Sequence, residues 1–143
     1  MTDSEAKIAN RQINATMIIE APDQTEHEIE SVVSGGEDVD VGCILDTGAM
    51  SVCINDTVMR QLGFKPRGTI GIGGATASSS APVYVAKVGI RGLKGFKVAV
   101  EVIGLPTRTA LLGYGLFRHL DAIHIDLKAN KVTFHLDGDS VTH

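Results

Sequence analysis

The chain has 143 residues, 43% apolar and 21% charged, a size and composition that suit one globular domain with a real core and exclude disorder. A net charge of −4, with no Lys/Arg cluster interleaved with aromatics, argues against nucleic acid or anionic lipid as a partner. Two cysteines are too few for a disulfide framework, no apolar run approaches the roughly 20 residues of a membrane span, and Met1-Thr2-Asp3-Ser4-Glu5 lacks a signal-peptide pattern; the chain is read as soluble and cytoplasmic.

Sixteen glycines, above the usual share of about 7%, favour a turn-rich β protein. Residues 1–11 are polar and read as a flexible tail. Ile13, Ala15, Met17 and Ile19 recur at period two, predicting a half-buried strand that stops at Ala21-Pro22-Asp23. Residues 27–33 read as a second strand, ended by Ser34-Gly35-Gly36. Residues 39–45 are the third, apolar on both faces toward Leu45 and therefore expected to be central. A short strand at 51–54 precedes a two-turn helix with Asn55 or Asp56 as N-cap, Val58, Met59 and Leu62 as its apolar face and Gly63 as its C-terminal stop.

Residues 67–80 have β-branched flanks around Gly71-Ile72-Gly73-Gly74, the pattern of a hairpin with a glycine-rich tip. No Lys-Ser/Thr and no helix pattern follow, which argues against a phosphate cradle. Strands at 82–90 and 95–103 flank the turn Arg91-Gly92-Leu93-Lys94. Ala110-Leu111-Leu112-Gly113 is a short buried run, residues 114–120 suit a short helix, and strands at 122–127 and 131–136 close the domain. Residues 137–143 are polar and read as a C-terminal tail.

Asp46-Thr47-Gly48-Ala49 follows the apolar run Val41-Gly42-Cys43-Ile44-Leu45. A carboxylate on a tight turn beside an apolar core is suited to proton transfer, and Gly48 is expected to make that turn possible. The same residues also make an ordinary strand-ending turn, so other parts of the chain must decide. His119, His124, Asp126 and His135 match no compact ligand spacing, and His124 and Asp126 alternate with Ile123, Ile125 and Leu127 as the solvent face of a strand; no metal or cofactor is expected. Cys53 has no cationic neighbour in sequence and is read as core.

Ile44-Leu45-Asp46-Thr47-Gly48-Ala49, then Gly71-Ile72-Gly73-Gly74, then Ala110-Leu111-Leu112-Gly113 resembles in order and spacing the single-lobe, retropepsin-like aspartic proteases. Leu116-Phe117-Arg118-His119-Leu120 and Ile125-Asp126-Leu127 look like the bacterial and cellular members more than the viral ones. The resemblance covers residues 12–136. It implies an all-β, closed acid-protease barrel with one or two short helices, and an aspartic endopeptidase acting on peptides or proteins. A single Asp-Thr-Gly implies a homodimer in which each copy lends Asp46 as its catalytic residue. Thr47 would then hold the two loops together, while Gly48 and Ala49 would meet the substrate backbone. Gly71, Ile72, Gly73 and Gly74 would be the flap, and Leu112 and Gly113 would pack behind the catalytic loop. Retroviral members carry an acidic residue directly after Asp-Thr-Gly-Ala and an arginine directly after the later glycine; here these positions are Met50 and Tyr114. Both partners of that ion pair are replaced together, so neither charge is left unpaired. The other reading is a catalytically silent peptide-binding or dimerisation module of the same fold.

Overall fold

The computed structural model describes residues 12–22, 36–72 and 79–143. The expected tail at 1–11, the expected strand at 27–33, and Gly73 and Gly74 lie outside the described residues. In chain order the elements are β1 (Asn14–Glu20), β2 (Asp38–Leu45), β3 (Val52–Asn55), α1 (Asp56–Gln61), β4 (Gly68–Ile72), β5 (Ser79–Ile90), β6 (Lys97–Leu105), β7 (Leu111–Leu112), α2 (Tyr114–Phe117), β8 (Ala122–Asp126), β9 (Lys131–Leu136) and β10 (Asp139–Thr142). The class is all-β with two short helices, as the sequence implies.

Seven strands pair in the order β1-β2-β7-β3-β6-β5-β4, and β5 also pairs with β1 through Met17 with Ile90, Ile18 with Gly89 and Ile19 with Val88. The ladder thus curls back onto its first strand, and its inner face becomes the core. Met17, Ile19, Tyr84, Val88, Ile90, Val102, Leu112 and Leu116 are fully buried there. Period-two alternation puts Tyr84, Ala86, Val88 and Ile90 inside along β5. Strand β2 departs from the expected two-sided burial: Asp40 and Gly42 are exposed, and among the described strands only its last residues gain a second neighbour. The reason is that β7 is two residues long and reaches only Ile44 and Leu45.

Helix α1 begins where Asn55 accepts a hydrogen bond from the Val58 N–H at 3.2 Å. It ends at Gly63, whose φ of +98° is one that side chains rarely adopt. Its first residue, Asp56, accepts hydrogen bonds from the buried Tyr84 hydroxyl and from Arg60 Nε, the latter at 2.9 Å. Burial and the Asp56 contact push Tyr84 up to about 12. Burial alone would raise Asp56, but the hydrogen bonds from Tyr84 and Arg60, with the Arg60 charge, lower it.

Because Tyr84 is raised above its ordinary value of about 10, its contribution is complete below pH ~10 and is lost as pH climbs toward ~12. Tyr84→Phe is expected to cost about 1–2 kcal/mol near neutrality, because Asp56 loses a buried donor. It should also remove part of the stability loss that the wild type shows between about pH 8 and about pH 11. Denaturant titrations at the two pH values check both; equal losses in the two proteins would refute the coupling.

Residues 137–143 are not a tail. β10 pairs with β9, which pairs with β8, in a separate three-stranded sheet over Val132 and Phe134. His143 fastens this sheet to the larger one: its Nδ1 accepts from the Thr16 N–H at 3.0 Å, and its Nε2 lies 2.8 Å from the Arg91 carbonyl. Polar composition hid the strand because β10 lies at a sheet edge with three of its four residues exposed. Helix α2 stops at Phe117 rather than Leu120; beyond it the chain continues in turns, with the His119 N–H on Leu116 O and the Leu120 N–H on Phe117 O.

Candidate active site

Three backbone hydrogen bonds fix the end of β2. The Ile44 N–H donates to Ala110 O at 2.9 Å, the Leu45 N–H to Ile13 O at 2.9 Å, and the Asp46 N–H to Leu112 O at 3.1 Å. Asp46 is therefore held on both sides, by the residue preceding β1 and by β7, whose Leu112 is fully buried. Beyond it the chain turns back: the Ala49 N–H reaches Asp46 O at 3.2 Å, and the Gly48 N–H donates to Asp46 Oδ1 at 3.0 Å. The carboxylate is thereby oriented by its own turn and half-buried, while Thr47 and Gly48 are exposed at the apex.

Gly48 does not make this turn possible in the way the sequence suggests. Its φ is not in the left-handed region, and among the described residues an added Cβ would meet only Asp46 Oδ1, at an ordinary 3.4 Å. Against the described residues an alanine fits. Gly113 is different. A Cβ there would lie 2.5 Å from Ser51 O, 2.6 Å from Ala49 O and 3.0 Å from Ala49 Cβ. The next residue's N–H, Tyr114, donates to Ala49 O at 2.8 Å, and a Cβ on Gly115 would come 3.2 Å from Met50 O. Leu112 to Gly115 thus lie directly against the Asp46 turn and the residues that leave it.

Ile13, Ala110 and Gly115 were not assigned to the site from sequence. Ile13 and Ala110 act through their carbonyls, which side-chain patterning does not report. Two glycines flanking Tyr114 were the available signal for the third.

Cys53 is buried opposite Leu111, and its thiol is pushed up first by burial and then by the negative charge of Asp46. That direction keeps it protonated and unreactive. Cys43 is raised to about 11 by burial, against two backbone hydrogen bonds that act the other way. Among the described residues no three His, Cys, Asp or Glu side chains are grouped to hold a metal ion. His119, His124 and Asp126 are exposed, and Asp126 Oδ1 accepts from the Lys128 and Ala129 N–H groups, fixing the β8–β9 turn. Among the same residues no helix is long and apolar enough to cross a membrane.

Gly71 is exposed, with no described atom within 4 Å of an added Cβ, on a hairpin whose last described pair is Ile72 with Ser79. The fold has counterparts among solved structures. The structure is similar to the retropepsin-like aspartic protease from Rickettsia conorii, with a TM-score of 0.56, 18% identity and coverage of 92% of this chain and 98% of that one. It is also similar, at TM-score 0.49 and 20% identity over 91% of each chain, to the retroviral protease-like domain of Ddi1 from Leishmania major. No curated protein matches the sequence. The fold is thus retropepsin-like, and because the aspartyl protease family model matches residues 31–116, more than half of its length, this chain belongs to the aspartyl protease family.

Proposed function

We propose that the chain is an aspartic endopeptidase whose site is completed by a second copy, each lending Asp46 across a two-fold axis. The observation that carries this is the clamped turn: one half-buried carboxylate, oriented by Gly48, with Thr47 and Gly48 exposed at its apex. Gly48 adds support. Among the described residues nothing requires a glycine there, which fits a demand from elsewhere, such as the backbone of a substrate or of the second copy.

Two carboxyl groups about 3 Å apart cannot both ionise and so share one proton. The ionised one takes a proton from a water between them as the water oxygen bonds to the scissile carbonyl carbon. The protonated one gives its proton to the carbonyl oxygen. When the tetrahedral intermediate collapses, the C–N bond breaks and the leaving amine takes a proton from the pair. Thr47 bonds across the axis, Gly48 and Ala49 pair with an extended peptide, and the 71–74 segment closes over it as the flap that excludes bulk water. Leu112 and Gly113 support the loop from behind.

Concentration tests the paired site. Cleavage of a diverse peptide pool should fall in specific activity on dilution, be blocked by a statine-type mimic, and be suppressed when excess Asp46→Asn chain is mixed with wild type. A chain that sediments as a monomer at about 50 μM yet cleaves peptides would overturn the shared site. A dimer that binds peptides and never cuts them from about pH 3 to about pH 8 would favour the silent module, a reading motivated by Met50 and Tyr114.

A further inference from the structure

The pairing of β1 with β5 ends at Met17 and Ile90, yet Thr16 stays tied to the turn beyond, where its carbonyl accepts the Arg91 N–H at 3.1 Å. An antiparallel ladder completes such a pair by returning the Thr16 N–H to the Arg91 carbonyl. Here the imidazole of His143 stands between those two groups. Its Nδ1 lies 3.0 Å from the Thr16 nitrogen, and its Nε2 lies 2.8 Å from the Arg91 oxygen. The ring thus relays one ladder bond from the C-terminal sheet, set T-shaped against Phe134 with ring centroids 5.4 Å apart.

Both partners have fixed roles, and these fix the state of the ring. A backbone N–H only donates and a carbonyl only accepts, so Nδ1 carries the lone pair and Nε2 the hydrogen. The other neutral tautomer fails both contacts. The imidazolium fails one, because its Nδ1–H points at the Thr16 N–H, donor against donor. The ring closes this seam when neutral and works against it when charged.

The ring lines an open cleft between the two sheets, so protons reach it from water. Of the residues lining that cleft, Arg91 and His143 are the ionisable ones, and the Arg91 guanidinium pairs with Asp40 of β2. From β1 the cleft receives Asn14, Ala15 and Thr16, none of them ionisable. On β9 the residue across from His143 is Val132, whose N–H donates to the His143 main-chain oxygen at 3.2 Å. On β10 Val141 packs over Gly92, where a Cβ would come 2.8 Å from Val141 Cγ2. Among the described residues no carboxylate side chain lines the cleft to offset a charged ring.

The seam also bears on the Asp46 turn. The C-terminal sheet grips the start of β1 twice, through His143 on Thr16 and through Asn130 Nδ2 on the Gln12 carbonyl at 3.0 Å. Between these points Ile13 gives its carbonyl to the Leu45 N–H, next to Asp46. We propose that His143 is a proton-operated bolt: neutral, it locks the C-terminal sheet onto β1; on taking up a proton, it opens the seam and slackens the strand that clamps Asp46. The bolt stands on these hydrogen bonds and not on the reading of Asp46 as catalytic.

Imidazole is the ordinary side chain that changes charge between about pH 5 and about pH 8, so those two conditions are compared. Native-state amide exchange of the full-length wild type follows the seam directly, with rates corrected for the pH dependence of intrinsic exchange. From about pH 8 to about pH 5 the Thr16 amide should lose about tenfold in protection, the scale of one hydrogen bond replaced by a clash. The Leu45 amide should lose about threefold, while amides of the β5–β6 ladder keep theirs. In His143→Gln the titrating group is gone, and protection at Thr16 and Leu45 should agree at the two pH values within about twofold. Thr16 protection that is constant in the wild type, or that falls equally in His143→Gln, overturns the bolt. A uniform loss that includes the β5–β6 ladder overturns it too. Loss at Thr16 with none at Leu45 overturns the link to the Asp46 turn. If His143→Gln does not fold, the imidazole nitrogen resonances of the wild type decide. Nδ1 must change from a lone-pair to a protonated nitrogen over the range in which Thr16 opens, and opening without that change overturns the bolt.

Discussion

Replacing Asp46 by Asn is expected to lower kcat/KM for peptide cleavage by at least about 10³-fold while leaving the fold intact. Positioned acid–base groups contribute about 10²–10⁴-fold, and in a paired site one substitution removes both of them. Asn keeps the size of the side chain and an oxygen that can accept the Gly48 N–H bond, now 3.0 Å long, so the turn has no reason to open. The backbone clamps from Asp46 to Leu112 and from Ala49 to Asp46 do not involve the side chain. Thermal unfolding should therefore shift by no more than about 2 °C, well under the shift that follows loss of a buried contact. Initial rates with a peptide pool, beside circular dichroism of both proteins, check the two halves together. Cleavage within tenfold of wild type would place the reacting carboxylate elsewhere.

The strands were legible wherever one face meets the core and the other meets water. β1 and β5 could be read at period two because Met17, Ile19, Tyr84 and Val88 point inward between more exposed neighbours. β10 could not, since an edge strand with three exposed residues carries no apolar stripe. The parallel pairings of β2 with β7 and β3 with β6 were also hidden, because they join residues about fifty or more apart and no local pattern encodes the partner. The contact between Tyr84 and Asp56 spans 28 residues and was unreadable for the same reason.

At the site, the acidic turn was visible because a polar triplet ends an apolar run. What each glycine does was not visible. Sequence assigned the turn to Gly48, whereas the close approach lies at Gly113, and only coordinates separate a glycine required by its φ from one required by a neighbour.

That distinction makes Gly113→Ala the second large effect. Gly113 has φ −114° and ψ −171°, an extended conformation that alanine adopts freely, so no backbone strain is involved. The whole penalty is steric. An alanine methyl would sit at 2.5–2.6 Å from the carbonyl oxygens of Ser51 and Ala49, both backbone atoms that no side-chain rotation can move away. Either β7 and the start of α2 retreat, lengthening the bond from the Asp46 N–H to Leu112 O, or the 49–51 loop shifts and gives up the 2.8 Å bond from the Tyr114 N–H to Ala49 O. Overpacking of this kind costs about 1–3 kcal/mol, and a broken backbone hydrogen bond adds about 1 kcal/mol. A loss of about 3 kcal/mol corresponds to a fall in Tm of about 10 °C for a chain of this length. Because both routes of relief move the residues that hold Asp46, activity should fall as well, by about 10²-fold for a displacement near 1 Å. Gly48→Ala supplies the opposite signature: a Cβ at ordinary contact distance should leave Tm within about 2 °C, and any loss of activity must then come from what approaches the turn from outside. If Gly113→Ala unfolds at the wild-type temperature, the tight packing of the start of α2 against residues 49–51 is wrong.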